Sequence, residues 1–105
     1  MNIGKLRHRV VIQHLTEGTN PMGDIVQTWT EFATAWASVE PLTGREYLSA
    51  QRVSSETSGR IRMRYRPGVL STMRVLFGSQ TYQILSVINP EELNVELELM
   101  TKVWK

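Results

Sequence analysis

Four arginines at every second position are the residues of this sequence whose type and spacing best suit binding chemistry. A spacing of two would place all of them on one face of a β-strand; they are Arg60, Arg62, Arg64 and Arg66. Like charges on one face repel one another, so an opposite charge has to lie beside them. Three sources could supply it: the phosphates of a nucleic acid, the acidic surface of a partner protein, or Glu96 and Glu98 on the last predicted strand.

Residues available for catalysis or metal binding are few. His8 and His14 lie on the first predicted strand, roughly 20 Å apart at about 3.3 Å per residue, which is too far for both to bind one metal ion. The sequence contains no Cys, which excludes a thiolate metal site. Carboxylate neighbours such as Glu91 and Glu92 need different environments to divide acid and base roles, and nothing in the sequence predicts such a pocket. We therefore predict a non-enzymatic protein with no metal, no cofactor and no small-molecule substrate.

Composition and charge fit one ordinary folded domain. The chain has 105 residues, of which 41% are hydrophobic, and we expect residues 1–105 to form a single domain. The N-terminus carries charges and no long apolar run, so we expect neither a leader peptide nor a membrane-spanning segment. Residues 1–74 carry a net charge of +4 and residues 75–105 carry −2, so the two parts could pair within one molecule or head-to-tail between copies.

The first half of the chain predicts strands separated by a loop. Residues 6–14 alternate between apolar and polar positions, which predicts a strand with one buried face. Residues 16–24 contain two Gly and one Pro without periodicity, which predicts an exposed loop. Residues 25–40 are rich in Thr, Trp, Val and Phe and predict one bent strand or two short ones. The expected core or half-buried anchors of this segment are Trp29, Phe32 and Trp36.

One short helix is predicted between the strands. Thr43 and Glu46 have the spacing of a capping box, and Leu42 and Tyr47 have that of a hydrophobic staple. The helix should run to about Val53 and end in the polar stretch at residues 54–59. A helix this short is marginal in water, so it must pack on something or become ordered late.

The second half predicts strand after strand. Residues 60–66, 73–77, 82–88 and 95–104 alternate, with turns at Pro67-Gly68, Gly78-Ser79 and residues 89–92. In the first of these strands we expect Ile61, Met63 and Tyr65 on one face and the four arginines on the other. The sequence therefore predicts a mainly β fold, a small antiparallel β-barrel of about six strands with one short inserted α-helix.

A series of segments spread over nearly the whole chain resembles one protein family in the family's own order. The segments are residues 3–12 (IGKLRHRVVI), Trp29 with residues 35–39 (AWASV), residues 42–46 (LTGRE), residues 61–66 (IRMRYR), Gly78 with residues 82–84 (YQI), and residues 97–99 (LEL). They resemble the phage head–tail joining family of long-tailed double-stranded DNA phages and prophages. Members of this family are also called head-closure, stopper or head completion proteins.

The resemblance implies a structural protein of the virion neck that passes through the host cytoplasm during assembly. It implies subunits that form a ring, with twelve copies expected, beneath the portal and adaptor ring after DNA packaging. Such a ring seals the channel, retains the DNA and presents a surface to the tail proteins, and it leaves room for contact with packaged DNA. The resemblance implies no membrane. The closest alternative is a tail-completion subunit, and an alternative of another class is a nucleic-acid-binding β-barrel that uses the arginines of residues 60–66.

Given this resemblance, we expect the acidic surface of a partner protein, ahead of the other two sources, to supply the charge opposite the arginine face. The expected interface residues are Arg45, Glu46, Arg60, Arg62, Arg64, Arg66, Glu96 and Glu98. The expected channel or mobile loop residues are Thr43, Gly44, Ser54, Ser55, Ser58 and Gly59. As a hypothesis, residues 42–59 are mobile in the free subunit and become ordered at the ring interface, where binding offsets the ordering entropy.

Overall fold

The computed structural model describes residues 6–42, 44–53 and 57–104 of the chain. In these residues six strands close an antiparallel barrel in the spatial order β1-β2-β3-β6-β5-β4. The elements are β1 (His8–Thr19), β2 (Ile25–Pro41), α1 (Gly44–Val53), β3 (Gly59–Arg64), β4 (Arg74–Phe77), β5 (Gln80–Ile88), a 3-10 turn (Pro90–Glu92) and β6 (Glu96–Val103). The predicted barrel with a short helix between its second and third strands is confirmed.

The core is built by the alternating apolar residues of strands from all sides of the barrel. β3 and β6 each contribute two residues, and β1, β4 and β5 supply the other large ones; the set with almost no exposure includes Val10, Ile12, Ile61, Met63, Val75, Ile84, Leu97 and Leu99. Burying one such side chain contributes about 1.5–3 kcal/mol. Because side chains alternate along a strand, the residues between these point outward, and that alternation places Arg60 and Arg62 on the outer surface.

The first two strands are longer than the barrel and extend beyond it as a hairpin. β1 pairs with β2 from His8–Ala37 to Thr19–Ile25, but it pairs with β4 only over residues 11–13. β2 pairs with β3 only over residues 37–41. We call residues 14–30 the arm, because its strands pair with each other alone among the described residues, and the molecule measures 51 × 28 × 27 Å.

The arm corrects the prediction that residues 16–24 form a loop. Residues 16–19 continue β1, and only residues 20–24 form the turn. In the turn, the side-chain oxygen of Asn20 accepts hydrogen bonds from the backbone N–H groups of Met22 (3.0 Å) and Asp24 (2.9 Å), and Gly23 has a φ of 87°. The strand was missed because both faces of the arm are largely exposed, so its sequence carries no apolar period.

Two aromatic residues lie differently from the prediction. Trp36 was expected to be a core or half-buried anchor, but its side chain is 53% exposed because its neighbours Ala35 and Ala37 take the inward positions of β2. Tyr65 was expected to share a strand face with Ile61 and Met63, but β3 ends at Arg64 and Tyr65 is 37% exposed. The Tyr65 backbone N–H instead donates to the carbonyl of Val95 at 3.0 Å. Trp29 and Phe32 are half-buried, as predicted.

The connection between β2 and β3 leaves and rejoins the barrel at neighbouring points. The Leu42 N–H donates to the Ser58 carbonyl at 3.4 Å, and the Ser58 N–H donates to the Thr101 carbonyl at 2.9 Å. Inside the connection, the Gln51 side-chain amide donates to the Thr57 carbonyl at 2.6 Å. The helix ends at Val53 as predicted. The predicted capping box depends on Thr43 and the Glu46 side chain, which lie outside the described residues, as do Ser54 and Ser55.

Candidate functional site

The arginine face lies on the outside of β3, between β2 on one side and β6 on the other. The strand registers set Arg60 opposite Glu40, and Arg62 opposite Ser38 of β2 and Glu98 of β6. Directly opposed residues on one face of a sheet are close enough for their side chains to interact. The inner part of the face is therefore bordered by carboxylates on both neighbouring strands.

These carboxylates form ion pairs within the molecule with two of the four arginines. Glu40 accepts a hydrogen bond from Arg60 at 3.4 Å, and its second oxygen lies 3.7 Å from Nε of Arg62. A terminal nitrogen of Arg62 lies 3.4 Å from Glu98 on the opposite side. The ion-paired side chains are between 15% and 34% exposed, so solvent screens the pairs only in part. At this end of the face the opposite charge is therefore supplied within the molecule. The Arg62–Glu98 pair is one of the predicted cross-strand ion pairs.

Glu40 is the residue of this network that the sequence analysis missed. The Ser38 hydroxyl donates to a Glu40 carboxylate oxygen at 3.0 Å and holds that side chain towards the arginines. Glu40 occupies an outward position in β2 two residues after Ser38, so its direction followed from the alternation. Its partner on β3 could not be predicted, because the helical connection between the two strands does not fix their register.

The other two arginines lie where β3 leaves the sheet. Pairing of β2 with β3 stops at Ala37–Met63, so the two segments diverge beyond that pair. A groove with a volume of about 630 Å³ opens between them, lined by Leu6, Thr34, Ala35, Trp36, Met63, Arg64, Tyr65 and Arg66. Arg64 and Arg66 are exposed, and the described part of the chain records no ion pair for either. The guanidinium of Arg9 lies 5.5 Å from the centre of the Trp36 ring, which adds a further positive charge beside the groove.

A second cluster of side chains lies at the base of the arm, away from the groove. The guanidinium of Arg74 lies 4.3 Å from the ring centre of Trp29 and 5.4 Å from that of Trp104. Its Nε donates to the Gln13 side chain at 2.8 Å. The two tryptophan rings meet edge to face at 5.7 Å. This cluster connects β1, β2, β4 and the segment after β6, and no sequence pattern indicated it.

The histidines pack on separate aromatic rings. The ring centre of His8 lies 4.7 Å from that of Phe77, and the ring centre of His14 lies 5.7 Å from that of Phe32. Among the described residues, no group of three or more His, Cys, Asp or Glu side chains could hold a metal ion. In the same part of the chain, no helix is long and apolar enough to cross a membrane.

The remaining predicted site residues are spread along the outer surface. Glu96 pairs in register with Arg64 at the groove end of β6, whereas Arg45 and Gly44 are exposed in the first turn of α1. Ser58 and Gly59 lie where the connection rejoins the barrel. The structure thus brings Arg60, Arg62 and Glu98 together in one network, and it places Arg64 and Arg66 together in the groove.

These features define the class of protein: a small closed β-barrel whose charged side chains pair across its outer surface, with a projecting arm and a helical connection. A family model described as phage head completion protein matches residues 1–103. The chain therefore belongs to the phage head completion protein family and is a structural component of the phage virion. The family resemblance seen in the sequence is confirmed.

Relatives support the same assignment over almost the full length. The chain is 33% identical over 107 residues to the head completion protein gp7 of Enterobacteria phage HK97, covering 97% of this chain and 96% of that protein. The solution structure of protein SF1141 from Shigella flexneri 2a is similar, with a TM-score of 0.78 and 30% identity over 98% of this chain and 96% of that one. A chain in the virion of a native gene transfer agent particle has the same fold, with a TM-score of 0.61 and 14% identity over 93% and 94% of the two chains.

Proposed function

We propose that this chain closes the filled phage head as a ring beneath the portal and adaptor, retains the packaged DNA and presents the surface to which the tail attaches. The observation that carries the proposal is the family match over residues 1–103, together with a relative of nearly equal length that is named as a head completion protein. A tail-completion subunit would use a similar small barrel on the tail side of the joint, and the experiment below separates the two.

The barrel suits a subunit that must hold its shape while one segment moves. Its strands close a barrel in which every strand pairs with two neighbouring strands in the described residues. Residues 42–58 leave and return next to each other through the Leu42–Ser58 hydrogen bond. The segment can therefore change conformation without altering the strand registers on either side of it.

The helical connection is the proposed channel or mobile segment. α1 has ten residues, which is short for a helix without packing, and its Leu48 side chain is 65% exposed. An apolar side chain on such a helix gains most when a neighbour covers it, so ring formation would bury the Leu48 side chain. The proposed residues of this segment remain Thr43, Gly44, Ser54, Ser55, Ser58 and Gly59.

The proposed interface divides according to the ion pairs within the molecule. Glu40 forms ion pairs with Arg60 and Arg62, and Glu98 forms one with Arg62. The first role of these residues is therefore to hold β3 between its neighbouring strands. Arg64 and Arg66 are exposed at the groove and form no ion pair with another described residue, so both can meet an acidic partner. Arg45 at the start of α1 is exposed as well and adds a positive charge near the mobile segment.

The test is deletion of this gene in its phage or induced prophage, followed by electron microscopy and by complementation with purified protein. Head closure predicts free tails beside heads that packaged DNA and then lost it, with infectivity restored by the wild-type protein. Full stable heads with defective tails would transfer the chain to the tail-completion role. Normal infectious particles without the gene would overturn the proposal.

A matched pair of variants extends the complementation to the mobile segment. Leu48→Asp places a charge on the exposed side of α1, and Leu93→Asp places the same charge at a position of nearly equal exposure, 62%, in a turn far along the chain. We expect Leu48→Asp to fail in complementation and Leu93→Asp to succeed. Equal success of the two variants would remove α1 from the proposed mechanism while leaving the role of the chain intact.

A further inference from the structure

The arm and the groove are complementary in charge. Residues 13–35, which contain the arm, include no Lys or Arg but do include Glu17, Asp24 and Glu31. The groove carries Arg64 and Arg66 in its lining, and none of the described residues that line it is acidic. Opposite potentials of this kind steer two surfaces together and fix their orientation.

The two surfaces are also complementary in their apolar residues. On the arm, Met22 is 85% exposed and Ile25 is 74% exposed. Leu15 and Ile25 lie on the same face, because they oppose Trp29 and Thr19 in the β1–β2 ladder and the intervening pair is Glu17–Gln27. The groove offers Trp36 and Tyr65, which are 53% and 37% exposed. Aromatic rings beside arginines are typical of the centre of a protein interface.

The backbone at the groove is open as well. β2 pairs with β3 only over residues 37–41, so the edge of residues 34–36 that faces the groove has no neighbouring strand in the described part of the chain. Such an edge presents unpaired N–H and C=O groups and accepts an extended segment from another chain. An arm made of two extended strands is the kind of segment that can lie along it.

The subunit cannot fill its own groove with its own arm. The arm is a direct continuation of β1 and β2, and β2 itself forms one wall of the groove. Folding the arm back would require breaking the ladder that holds it. Any contact between the two complementary surfaces must therefore form between different molecules.

We propose that the arm of one copy of this chain docks in the groove of the next copy, with Glu17 and Asp24 beside Arg64 and Arg66, and with Met22 and Ile25 against Trp36 and Tyr65. Because the arm and the groove are different surfaces, the contact is head-to-tail and generates a ring when the rotation between copies closes. The inference rests on the proposed function in that it names the contact that would build the ring.

Cross-linking in assembled particles tests the contact directly. The chain has no Cys, so Met22→Cys and Arg66→Cys each introduce one reactive thiol at an exposed position. Particles lacking the gene are complemented with an equal mixture of the two variants and treated with a short bismaleimide. We expect a cross-linked dimer of this chain from the mixture, and a ladder of higher species from a chain carrying both substitutions. Leu70→Cys, at a position 57% exposed, replaces Met22→Cys in the control mixture and should give no dimer.

Charge reversal tests whether the proposed residues make the contact. Asp24→Arg and Arg66→Glu should each lower the restored titre tenfold or more, since one lost charge pair of about 1.4 kcal/mol is a factor of ten in each contact. The double variant should recover most of that loss, because the reversed charges meet again between copies. Loss without recovery, or cross-linking of Met22→Cys to a cysteine of another neck protein, would overturn the arm-to-groove assignment.

The outcome for the contact is separable from the outcome for head closure. Restored infectivity by the cysteine variants without any cross-linked product would overturn the docking and leave head closure standing. Failure of the wild-type protein to restore infectivity would overturn head closure itself.

Discussion

The guanidinium of Arg74 lies 4.3 Å from the centre of the Trp29 ring, which joins the shortest strand of the barrel to the base of the arm. The Trp104 ring centre lies 5.4 Å from the same guanidinium, and the Trp104 backbone N–H donates to the Thr81 carbonyl at 2.8 Å. Trp104 is thus held against the base of the arm. Arg74 is half-buried, so its charge acts on the rings in a partly desolvated setting.

Replacing Arg74 should loosen this cluster. Arg74→Lys keeps the charge but loses the planar stacking and the fixed hydrogen bond to Gln13, and we expect a loss of about 1–2 kcal/mol in the free energy of unfolding. Urea denaturation followed by tryptophan fluorescence measures it. Arg66→Lys, at an exposed arginine, is the matched control and should change the stability by less than about 0.5 kcal/mol. Equal effects of the two substitutions would contradict the stacking.

Glu40 should matter more to stability than its outward position in β2 suggests. Glu40→Gln keeps the shape of the side chain but leaves Arg60 and Arg62 facing a neutral group, and we expect a loss of about 1 kcal/mol, limited by partial solvent screening. The midpoint of urea unfolding at low salt measures the change, and added salt should reduce it. Glu17→Gln, on the exposed arm, should leave the midpoint unchanged; an equal shift there would show that net charge alone is responsible.

Gly68 should be intolerant of a methyl group. Its φ is +90°, and a Cβ there would lie 3.1 Å from Cζ of Phe32. We expect Gly68→Ala to cost more than about 1 kcal/mol, whereas Gly18→Ala, which meets nothing within 4 Å, should be neutral or slightly stabilising. Thermal unfolding of the two variants compares them. A stable Gly68→Ala variant would mean that the turn after β3 adopts another conformation.

Leu99 should be one of the costliest residues to truncate. It is fully buried in β6, where it opposes Ile61 of β3. We expect Leu99→Ala to lower the free energy of unfolding by about 2–5 kcal/mol through lost burial and the cavity left behind. Leu93→Ala, at a position 62% exposed, should lower it by less than about 0.5 kcal/mol. Chemical denaturation decides, and a small effect at Leu99 would contradict the closed barrel.

Hydrogen exchange should distinguish α1 from the barrel that carries it. In the free subunit we expect the amides of residues 44–53 to exchange close to the unprotected rate, because a ten-residue helix has little stability of its own. The amides of β3 and β6, which pair in the centre of the sheet, should exchange slowly and serve as the internal control. Strong protection across residues 44–58 in the monomer would remove the proposed order transition.

Much of the barrel could be predicted because buried strands carry a period of two. Ile61 and Met63, and then Leu97 and Leu99, mark β3 and β6 plainly. The arm escaped prediction because both of its faces are exposed, so Thr16 and Thr19 show no contrast with their neighbours. Trp36 was misplaced because its size suggested burial, whereas the small residues beside it occupy the inward positions.

The site was harder to predict than the fold because it depends on register. Glu96 and Glu98 were one of three predicted sources of charge opposite the arginines, and the β3–β6 ladder places them opposite Arg64 and Arg62. Glu40 and the Arg74–Trp29 stack join strands whose alignment is set across long connections, which local sequence does not specify. The groove arises from the point at which two strands stop pairing, and such an endpoint has no signature in composition.

The three-residue joint between β1 and β4 also sets an order of events in time. The barrel closes only when residues 11–13 pair with residues 74–76, which are separated from them by most of the chain. This pairing is short and so contributes few stabilising contacts. Closure of that joint is the entropically costly step of folding, so it forms late and opens early. We therefore expect a newly made chain to remain a curled, open sheet until β4 pairs with β1, and we expect the finished protein to open first at that same joint.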